Sequence, residues 1–549
     1  MSGKNIVLCS DGTGNTAIKA RGTNVFKLYE AVDIQGHKHN PNLKPQVAFY
    51  DDGVGTSKLA PLQLIGGAFG FGFAKNVREL YTELVHVYEP GDHIYLFGFS
   101  RGAYTVRALS GLIQHCGILN IKDLSEASVK KRIKRCWKEF RKEAFKRVSD
   151  SERHHNQADD ASAQHRRPYD AYDASIEFVG VWDTVAAIGM PHEGLRTVIN
   201  WFYPMRFSEL TPSRCIKRAC HALSIDDDRR TFYPELWNEK EIPAGQVDQV
   251  WFAGVHSNVG GGYVKHGMSL VALDWMMAEA EISAKEECDR LRFIKTDREY
   301  VQTHQDVHDE LYDARAGLGV YYRWEPRHVD TLCREHHMGL PKIHVSVFER
   351  IANCTGCYAP VNLPHQFQVV GTRGTQAWPS SGTLRKIERQ VTGVEEADES
   401  QGGSKSLLDG LSTTVNSGKW SYRVFAAVSI YTAAAAFVHV TGLGDPLPPF
   451  PQIVAAVAEW WSYPYLVIGV IYAFMGASVW GWSKYVDGKM ESTAQNHWQR
   501  HRESLRNIFT DGRTQRKSES GEGVVLPAAW ADGELRRLTV SEEDRTPVR

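Results

Sequence analysis

The strongest constraint on the fold is an apolar segment that runs directly into a serine flanked by glycines. Residues 93–97 have the composition of a buried strand, Gly98-Phe99-Ser100-Arg101-Gly102 follows, and residues 103–113 have the apolar spacing of a helix. A G-x-S-x-G sequence between a strand and a helix predicts a nucleophile elbow, in which a tight turn lifts the serine hydroxyl above the edge of a sheet. Bulkier residues at Gly98 or Gly102 would clash in such a turn. Ser100 is therefore the candidate nucleophile.

Other short apolar segments indicate the rest of the sheet. Residues 5–9 and 46–50 are strand-like, helical stretches lie between them and residues 93–97, and residues 176–182 and 249–254 have the same character. Strands that alternate with helices predict a parallel sheet covered on both faces. The expected fold is an α/β-hydrolase with a mainly parallel sheet and helical insertions, occupying residues 1–372.

A serine hydroxyl is a weak nucleophile unless a base activates it and an acid orients that base. In α/β hydrolases these residues follow the serine in the order Asp or Glu, then His, each after a strand. Asp183 follows the strand-like residues 176–182, and His256 follows residues 249–254 and opens a glycine-rich segment. The sequence thus predicts a Ser100, Asp183 and His256 triad.

The segment 226–230, Asp-Asp-Asp-Arg-Arg, offers a second carboxylate. Asp226 is the fallback for the triad acid, whereas a salt-bridged turn explains the whole segment better than a cation site does, because no second oxygen cluster accompanies it. The lone pair Cys354 and Cys357 lacks the partners of a zinc site. We expect no metal and no cofactor.

The oxyanion hole of such an enzyme uses two backbone N–H groups. Arg101, directly after the nucleophile, supplies the first. The loop Asp11-Gly12-Thr13 follows the first strand and is placed to supply the second. Asp11 could instead hold this loop by hydrogen bonds. Phosphate binding is the competing interpretation, but no Lys-Ser/Thr completes a P-loop.

A basic insertion is predicted at residues 129–173. Its first part, residues 129–148, has apolar residues at helical spacing and ten Lys or Arg at the remaining positions. Such a helix either lies on anionic lipid or caps the domain with a solvated charged face. The formal charge of the whole chain is only -1, which excludes a globally basic nucleic-acid binder. No nucleic-acid partner is expected.

The C-terminal third contains two charge-free stretches, residues 424–440 and 465–482. They are close to the ~20 residues of a membrane-spanning helix and predict a two-helix transmembrane hairpin at 421–486, with soluble core helices as the alternative. Lys or Arg flank both ends and are missing from the connecting loop, so both ends are expected in the cytoplasm. Residues 373–420 have the composition of a linker, and 487–549 of a polar C-terminal tail.

The chain resembles the catalytic domain of a family of bacterial α/β hydrolases, the type VI secretion lipase effectors of the first class. The resemblance covers about residues 5–365. It implies a phospholipase with Ser100 as nucleophile, His256 as base and Asp183 as its partner, and it departs from the family at Asn258, where Asp is expected. The matching stretches include Ser10-Asp-Gly-Thr-Gly-Asn15, Tyr50-Asp-Asp-Gly-Val-Gly-Thr56, Gly91 to Tyr104, Gly180-Val-Trp-Asp-Thr184, Ala222-Leu-Ser-Ile-Asp226, Gly254 to Tyr263 and Tyr358-Ala-Pro-Val-Asn-Leu-Pro364.

Together these features predict a membrane-anchored serine hydrolase that cleaves phospholipid acyl esters through an acyl-enzyme. Its partner would be the phospholipid bilayer, and its location the bacterial inner membrane, with the catalytic domain and the tail in the cytoplasm. One alternative is a membrane-disrupting or assembly protein whose Ala- and Gly-rich hairpin forms homo-oligomers. Another is a tethered esterase for soluble esters.

Overall fold

A computed structural model describes most of the proposed catalytic region and one long C-terminal helix. The described residues are 3–12, 22–53, 67–153, 169–185, 211–316, 324–373, 379–393, 407–420, 423–424 and 464–519.

An eight-stranded sheet in which all paired neighbours are parallel forms the centre of the described structure. Its order is β8-β7-β6-β5-β4-β3-β1-β2. This confirms the predicted α/β class and the five predicted strands, and it adds β5, β7 and β8. In chain order the strands are β1 Asn5–Ser10, β2 Gln46–Asp51, β3 His93–Phe99, β4 Ile176–Trp182, β5 Ile216–Ser224, β6 Val247–Phe252, β7 Lys342–His344 and β8 Gln368–Val370.

Helices cover both faces of this sheet. Shorter helices lie at Gly36–His39, His256–Gly260 and Leu407–Gly410, 3₁₀ turns at Arg230–Phe232, Glu287–Asp289 and Thr355–Cys357, and a small antiparallel strand pair at Ile118–Leu119 and Ala171–Tyr172. The helices of seven or more residues are α1 Asn24–Ala31, α2 Gly67–Val87, α3 Arg101–Cys116, α4 Glu126–Arg153, α5 Gly267–Glu281, α6 Lys295–His304, α7 Val329–Glu335, α8 Val345–Ala352, α9 Ser381–Thr392 and α10 Pro464–Glu519.

Burial on both faces explains why β1 has apolar residues at four successive positions, Ile6 to Cys9. Along β1, Ile6 and Leu8 lie in one hydrophobic core with α2, α3 and α4, whereas Val7 and Cys9 lie in a second core with α1 and α5. Successive side chains of a strand point to opposite faces, so a strand covered by helices on both sides needs apolar residues at every position.

The strand order reverses beside β1, and this reversal positions the candidate site. β2 pairs with one side of β1, and β3 pairs with the other side. The connections after β1 and β3 therefore run in opposite directions and leave a crevice at the carboxyl ends of these strands, the usual ligand position in an open α/β sheet. Ser100 follows β3 and Asp11 follows β1 at this edge.

The C-terminal segment differs from the expected polar tail. Helix α10 continues to Glu519, and Ala494, Trp498, Leu505 and Phe509 are buried in a core shared with α8. Trp498 Nε1 also donates to the carbonyl oxygen of Pro360 at 2.7 Å. These apolar positions lie on one stripe of a helix whose other faces are charged, so the average composition of the segment hides them.

The expected linker also contains folded elements. Helix α9 begins at the Ser380 cap, whose Oγ accepts from the N–H of Thr383, and Ile387 on this helix is fully buried. Among the described residues, no helix combines the length and apolar character needed to cross a membrane. The predicted hairpin is not found there, and residues 425–463, which include most of its first span, lie outside the described ranges.

Replacing Trp498 with alanine should lower the free energy of unfolding by about 3–5 kcal/mol, because a large indole is lost from a packed core. Thermal and denaturant unfolding of the full chain measure this change. The matched control is Gln499→Ala, one residue along the same helix and exposed, which should change stability by no more than about 0.5 kcal/mol. Equal effects of the two substitutions would contradict the packing of α10 on the domain.

Candidate active site

Ser100 occupies a strained turn between β3 and α3. Its backbone has φ 58° and ψ -120°, a conformation that residues with a Cβ rarely adopt. The turn is held against the end of β4, since the Ser100 N–H donates to Trp182 O at 3.0 Å and Ser100 O accepts from the Val185 N–H at 3.3 Å. This geometry is that of a nucleophile elbow.

The two glycines of the turn are required by close backbone approach. A Cβ at Gly98 would lie 2.6 Å from the Cα of Ala103. A Cβ at Gly102 would lie 2.6 Å from the carbonyl oxygen of Asp11 and closer still to that of Ser10. Real Cβ atoms do not make such contacts with backbone, so alanine at either position would displace α3 from the sheet.

His256 and Asp183 form a buried hydrogen-bonded pair beside this turn. The His256 Nδ1–H donates to Asp183 Oδ2 at 2.6 Å, and both side chains are almost completely buried. The imidazole ring lies with its centroid 4.6 Å from that of Phe99, the residue before Ser100. An imidazole bound to a carboxylate through Nδ1 has its Nε2 available to accept a proton from a nucleophile.

Arg327 is part of this site and was not predicted from the sequence. Its guanidinium donates from Nη1 to Asp183 Oδ1 at 2.7 Å and from Nη2 to Asp183 Oδ2 at 2.9 Å, and Arg327 is fully buried. It also donates to the carbonyl oxygens of Ser224 and Phe232. The N–H and hydroxyl of Ser224 donate to the same carboxylate. Asp183 is thus held by donors on every side.

The charges of the pair follow from these contacts. Burial alone would raise the pKa of Asp183, but the charge of Arg327 and the hydrogen bonds from His256 and Arg327 outweigh it, and the pKa is well below its usual range. Burial lowers the pKa of His256 below its ordinary value, although Asp183 opposes this effect. Near neutral pH the site therefore holds an ionised Asp183 and a neutral His256, the state that general-base catalysis needs.

The segment 226–230 is a salt-bridged turn that fixes the histidine loop. Asp226 Oδ2 accepts from the N–H of Gly254 at 2.6 Å, and Asp227 Oδ2 accepts from the N–H of His256 at 3.1 Å. Asp227 also binds the guanidinium of Arg229. The carboxylate on the His256 ring is Asp183, so the fallback assignment of Asp226 as triad acid has no support in this geometry.

The loop after β1 is tied down by its own aspartate. Asp11 Oδ1 accepts from the N–H of Gly12 at 2.6 Å, and Asp11 Oδ2 accepts from the hydroxyls of Thr23 and Tyr50. The Gly12 N–H, predicted for the oxyanion hole, is therefore already engaged. Thr13 lies outside the described residues. The Arg101 N–H lies in the first turn of α3, directly after Ser100.

A comparison with known protein families identifies the family to which this chain belongs. A family described as "T6SS, Phospholipase effector Tle1-like, catalytic domain" matches residues 4–279, about half of the chain, and includes Ser100, Asp183 and His256. The chain belongs to this family. The Tle1-like match ends within α5, so β7, β8, Arg327 and α10 lie beyond it.

Two further proteins are similar to this Tle1-like chain over part of their length. The uncharacterized protein YEL023C of Saccharomyces cerevisiae is 29% identical over 246 residues, which cover 42% of this chain and 32% of the yeast protein. The chain thus spans about a third of that relative. A crystal structure of an uncharacterized protein from Pseudomonas aeruginosa is 19% identical, with 53% of this chain and 47% of that chain covered and a TM-score of 0.31.

Asn258, the expected departure from the Tle1-like pattern, lies in the short helix that begins at His256. Its amide Nδ2 donates to the carbonyl oxygen of Glu310 at 2.9 Å, and its Oδ1 accepts from the N–H of Tyr312 at 3.3 Å. An ionised aspartate could make only the second kind of bond, because it has no donor. Asparagine thus fits a position that fastens the histidine loop to residues 310–312 and does not touch Asp183.

Proposed function

We propose that this chain is a serine hydrolase that cleaves the acyl ester bonds of phospholipids through an acyl-enzyme intermediate. The observation that carries the proposal is the strained Ser100 turn beside the buried His256 and Asp183 pair. Ser100 Oγ attacks the ester carbonyl while His256 Nε2 takes its proton, and Asp183 stabilises the imidazolium that forms. His256 then protonates the departing alcohol of the lysophospholipid. Water, activated by the same imidazole, releases the fatty acid.

The negative oxygen of the tetrahedral intermediate needs preorganised donors. The first is the N–H of Arg101, which has the support of the positive end of the α3 dipole. For the second donor we retain the segment that contains Gly12 and Thr13. The Asp11 contacts to Thr23 and Tyr50 fix the start of that segment, which favours Thr13 over the engaged Gly12 N–H.

A phospholipid substrate is supported by the family description and by the sequence of the C-terminal region. We propose that residues 421–486 attach the enzyme to the bacterial inner membrane, with the catalytic domain and the C-terminal segment on the cytoplasmic side, and that this region can form homo-oligomers. The support is the charge-free composition of 424–440 and 465–482 and the placement of Lys and Arg around them.

Product analysis of the purified full chain tests the reaction. With phosphatidylcholine vesicles we expect free fatty acid and lysophosphatidylcholine in equal amounts, and faster turnover than with a water-soluble short-chain ester at the same ester concentration. Mass spectrometry identifies both products. Release of phosphocholine or choline would contradict acyl-ester cleavage, and turnover of the short-chain ester alone would favour the tethered esterase.

A further inference from the structure

The apolar side of helix α4 is buried against the rest of the domain over residues 129–140. Val129, Ile133, Cys136, Trp137 and Phe140 are at most 6% exposed and pack into the core formed with α2 and α3. A helix that inserts into a bilayer needs this side free. In the folded domain residues 129–140 of α4 therefore cannot bury their apolar side in lipid, and in this part of the helix the polar face is the one available to a partner.

The polar face of α4 is a dense stripe of positive charge. Seven exposed cationic side chains occur within thirteen residues, and among the described residues no acidic group lies within ion-pair distance of them. The positions 130, 134, 138 and 141 follow one side of the helix over roughly 17 Å. The seven residues are Lys130, Lys131, Lys134, Arg135, Lys138, Arg141 and Lys142.

This stripe contrasts with the chain as a whole, whose formal charge is -1. Residues 126–143 of α4 contain three acidic residues: Glu126 is exposed at the start of the helix, and Glu139 and Glu143 are half-buried. The aromatic ring at its edge, Tyr169, is covered by the guanidinium of Arg132, which lies 5.1 Å from the ring centroid. The Tyr169 ring is thus already stacked and does not offer a free platform for a base, which argues against nucleic acid.

We infer that the cationic face of α4 binds the anionic surface of a phospholipid bilayer and gives the enzyme a preference for membranes that contain acidic lipids. The inference rests on the proposed function, since it concerns where that enzyme meets its substrate. An array of lysines and arginines is attracted to acidic headgroups without inserting. Helix α4 also packs close to the Ser100 turn. The Trp137 ring of α4 lies 6.1 Å from the Phe73 ring, and the Phe73 ring lies 5.3 Å from that of Tyr104 on the first turn of α3.

A variant of the full chain that lacks four of these positive charges tests this face. This four-charge variant combines Lys130→Gln, Lys134→Gln, Lys138→Gln and Arg141→Gln. Each Lys or Arg near an acidic membrane contributes roughly a fivefold gain in affinity, reduced by salt. We therefore expect binding to vesicles of phosphatidylglycerol and phosphatidylcholine to weaken on the order of 100-fold, and binding to pure phosphatidylcholine vesicles to stay unchanged. Co-sedimentation at low and high salt measures both.

The matched control removes the same charge elsewhere, with Lys38→Gln, Lys240→Gln, Lys285→Gln and Lys386→Gln, all exposed. Both sets are measured in a Ser100→Ala background, so that the vesicles stay intact and binding is read without catalysis. Equal binding of the two sets to acidic vesicles would overturn the inference. So would a four-charge variant that loses binding to duplex DNA yet keeps its affinity for acidic vesicles.

Failure of the proposed function would give a different result. In that case the protein with Ser100 intact would release no fatty acid from any vesicle, while the difference between the four-charge variant and its control would persist. Unchanged melting temperatures of both sets verify that the substitutions act at the surface and not on the fold.

Discussion

Ser100→Ala is expected to reduce fatty-acid release from phospholipid by about 10³- to 10⁶-fold, because loss of the proposed nucleophile removes the proposed acyl-enzyme route and leaves only binding and oxyanion stabilisation. The fold should tolerate the change. Alanine differs from serine by one hydroxyl, and the contacts that hold this turn are backbone hydrogen bonds to Trp182 and Val185. The expected loss is therefore in kcat and not in the amount of folded protein.

Lipid mass spectrometry on cells that express each protein, together with assays of purified protein, measures this loss. The matched control is Ser110→Ala. Ser110 is a buried serine on α3, and its Oγ donates to the carbonyl oxygen of Arg107 away from the turn. Ser110→Ala should keep hydrolysis within a few-fold of the wild type. Hydrolysis that survives Ser100→Ala would reject the triad assignment and direct attention to the C-terminal region as the source of any effect on membranes.

The sequence predicted the parts of this site that lie directly after apolar strands. Ser100, Asp183 and His256 each follow a strand that is buried on both faces, and such strands are visible as short segments rich in apolar residues, even though Glu177 and Asp248 lie within two of them. Strand β5 was missed because Lys217 and Arg218 interrupt its first half at positions that are not fully buried. Strands β7 and β8 were missed because three residues are too few to show a pattern.

Arg327 and α10 could not be found in this way for a different reason. Arg327 lies 144 positions from Asp183 along the chain and follows no helix or strand, so only tertiary packing brings them together. The buried stripe of α10 includes Trp498 and Phe509, but these are spaced among many charged residues. Periodicity shows which side of an element is apolar, whereas it does not show which distant surface will cover that side.

Arg327→Met is expected to lower the free energy of unfolding by about 3–5 kcal/mol at pH 8, because it leaves the buried Asp183 carboxylate without its cationic partner. We also expect kcat to fall by about 100-fold, since a carboxylate that loses two donors no longer holds His256 in one orientation. Arg327→Lys should recover part of the stability and part of kcat, because lysine keeps the positive charge but cannot bind both carboxylate oxygens in the bidentate geometry of arginine.

The pH dependence separates this electrostatic role from simple packing. In the wild type the pKa of Asp183 is lowered by Arg327, so the stability it contributes is fully present above the unfolded value of about 3.9 and is constant between pH 5 and pH 8. Without Arg327, we expect burial to raise the pKa of the folded Asp183 above the unfolded value, because Arg327 is the largest influence that opposes burial. The loss of unfolding free energy in Arg327→Met is then largest at high pH, and it becomes smaller on acidification as the Asp183 carboxyl takes up a proton.

Denaturant unfolding of wild type and Arg327→Met at pH 5 and at pH 8 measures this difference. The matched control is Arg350→Met, a second buried arginine whose guanidinium donates to the carbonyl oxygens of Val307 and Asp309 and does not touch Asp183. Its loss of unfolding free energy should change less with pH, because Arg350 lowers the pKa of the nearby Asp226 less than the hydrogen bonds from Gly254 and Tyr358 do, whereas Arg327 is the largest influence that lowers the pKa of Asp183. If Arg327→Met lowers the free energy of unfolding equally at both pH values, Arg327 contributes only packing. Asp183 would then keep its charge through Ser224 and His256 alone.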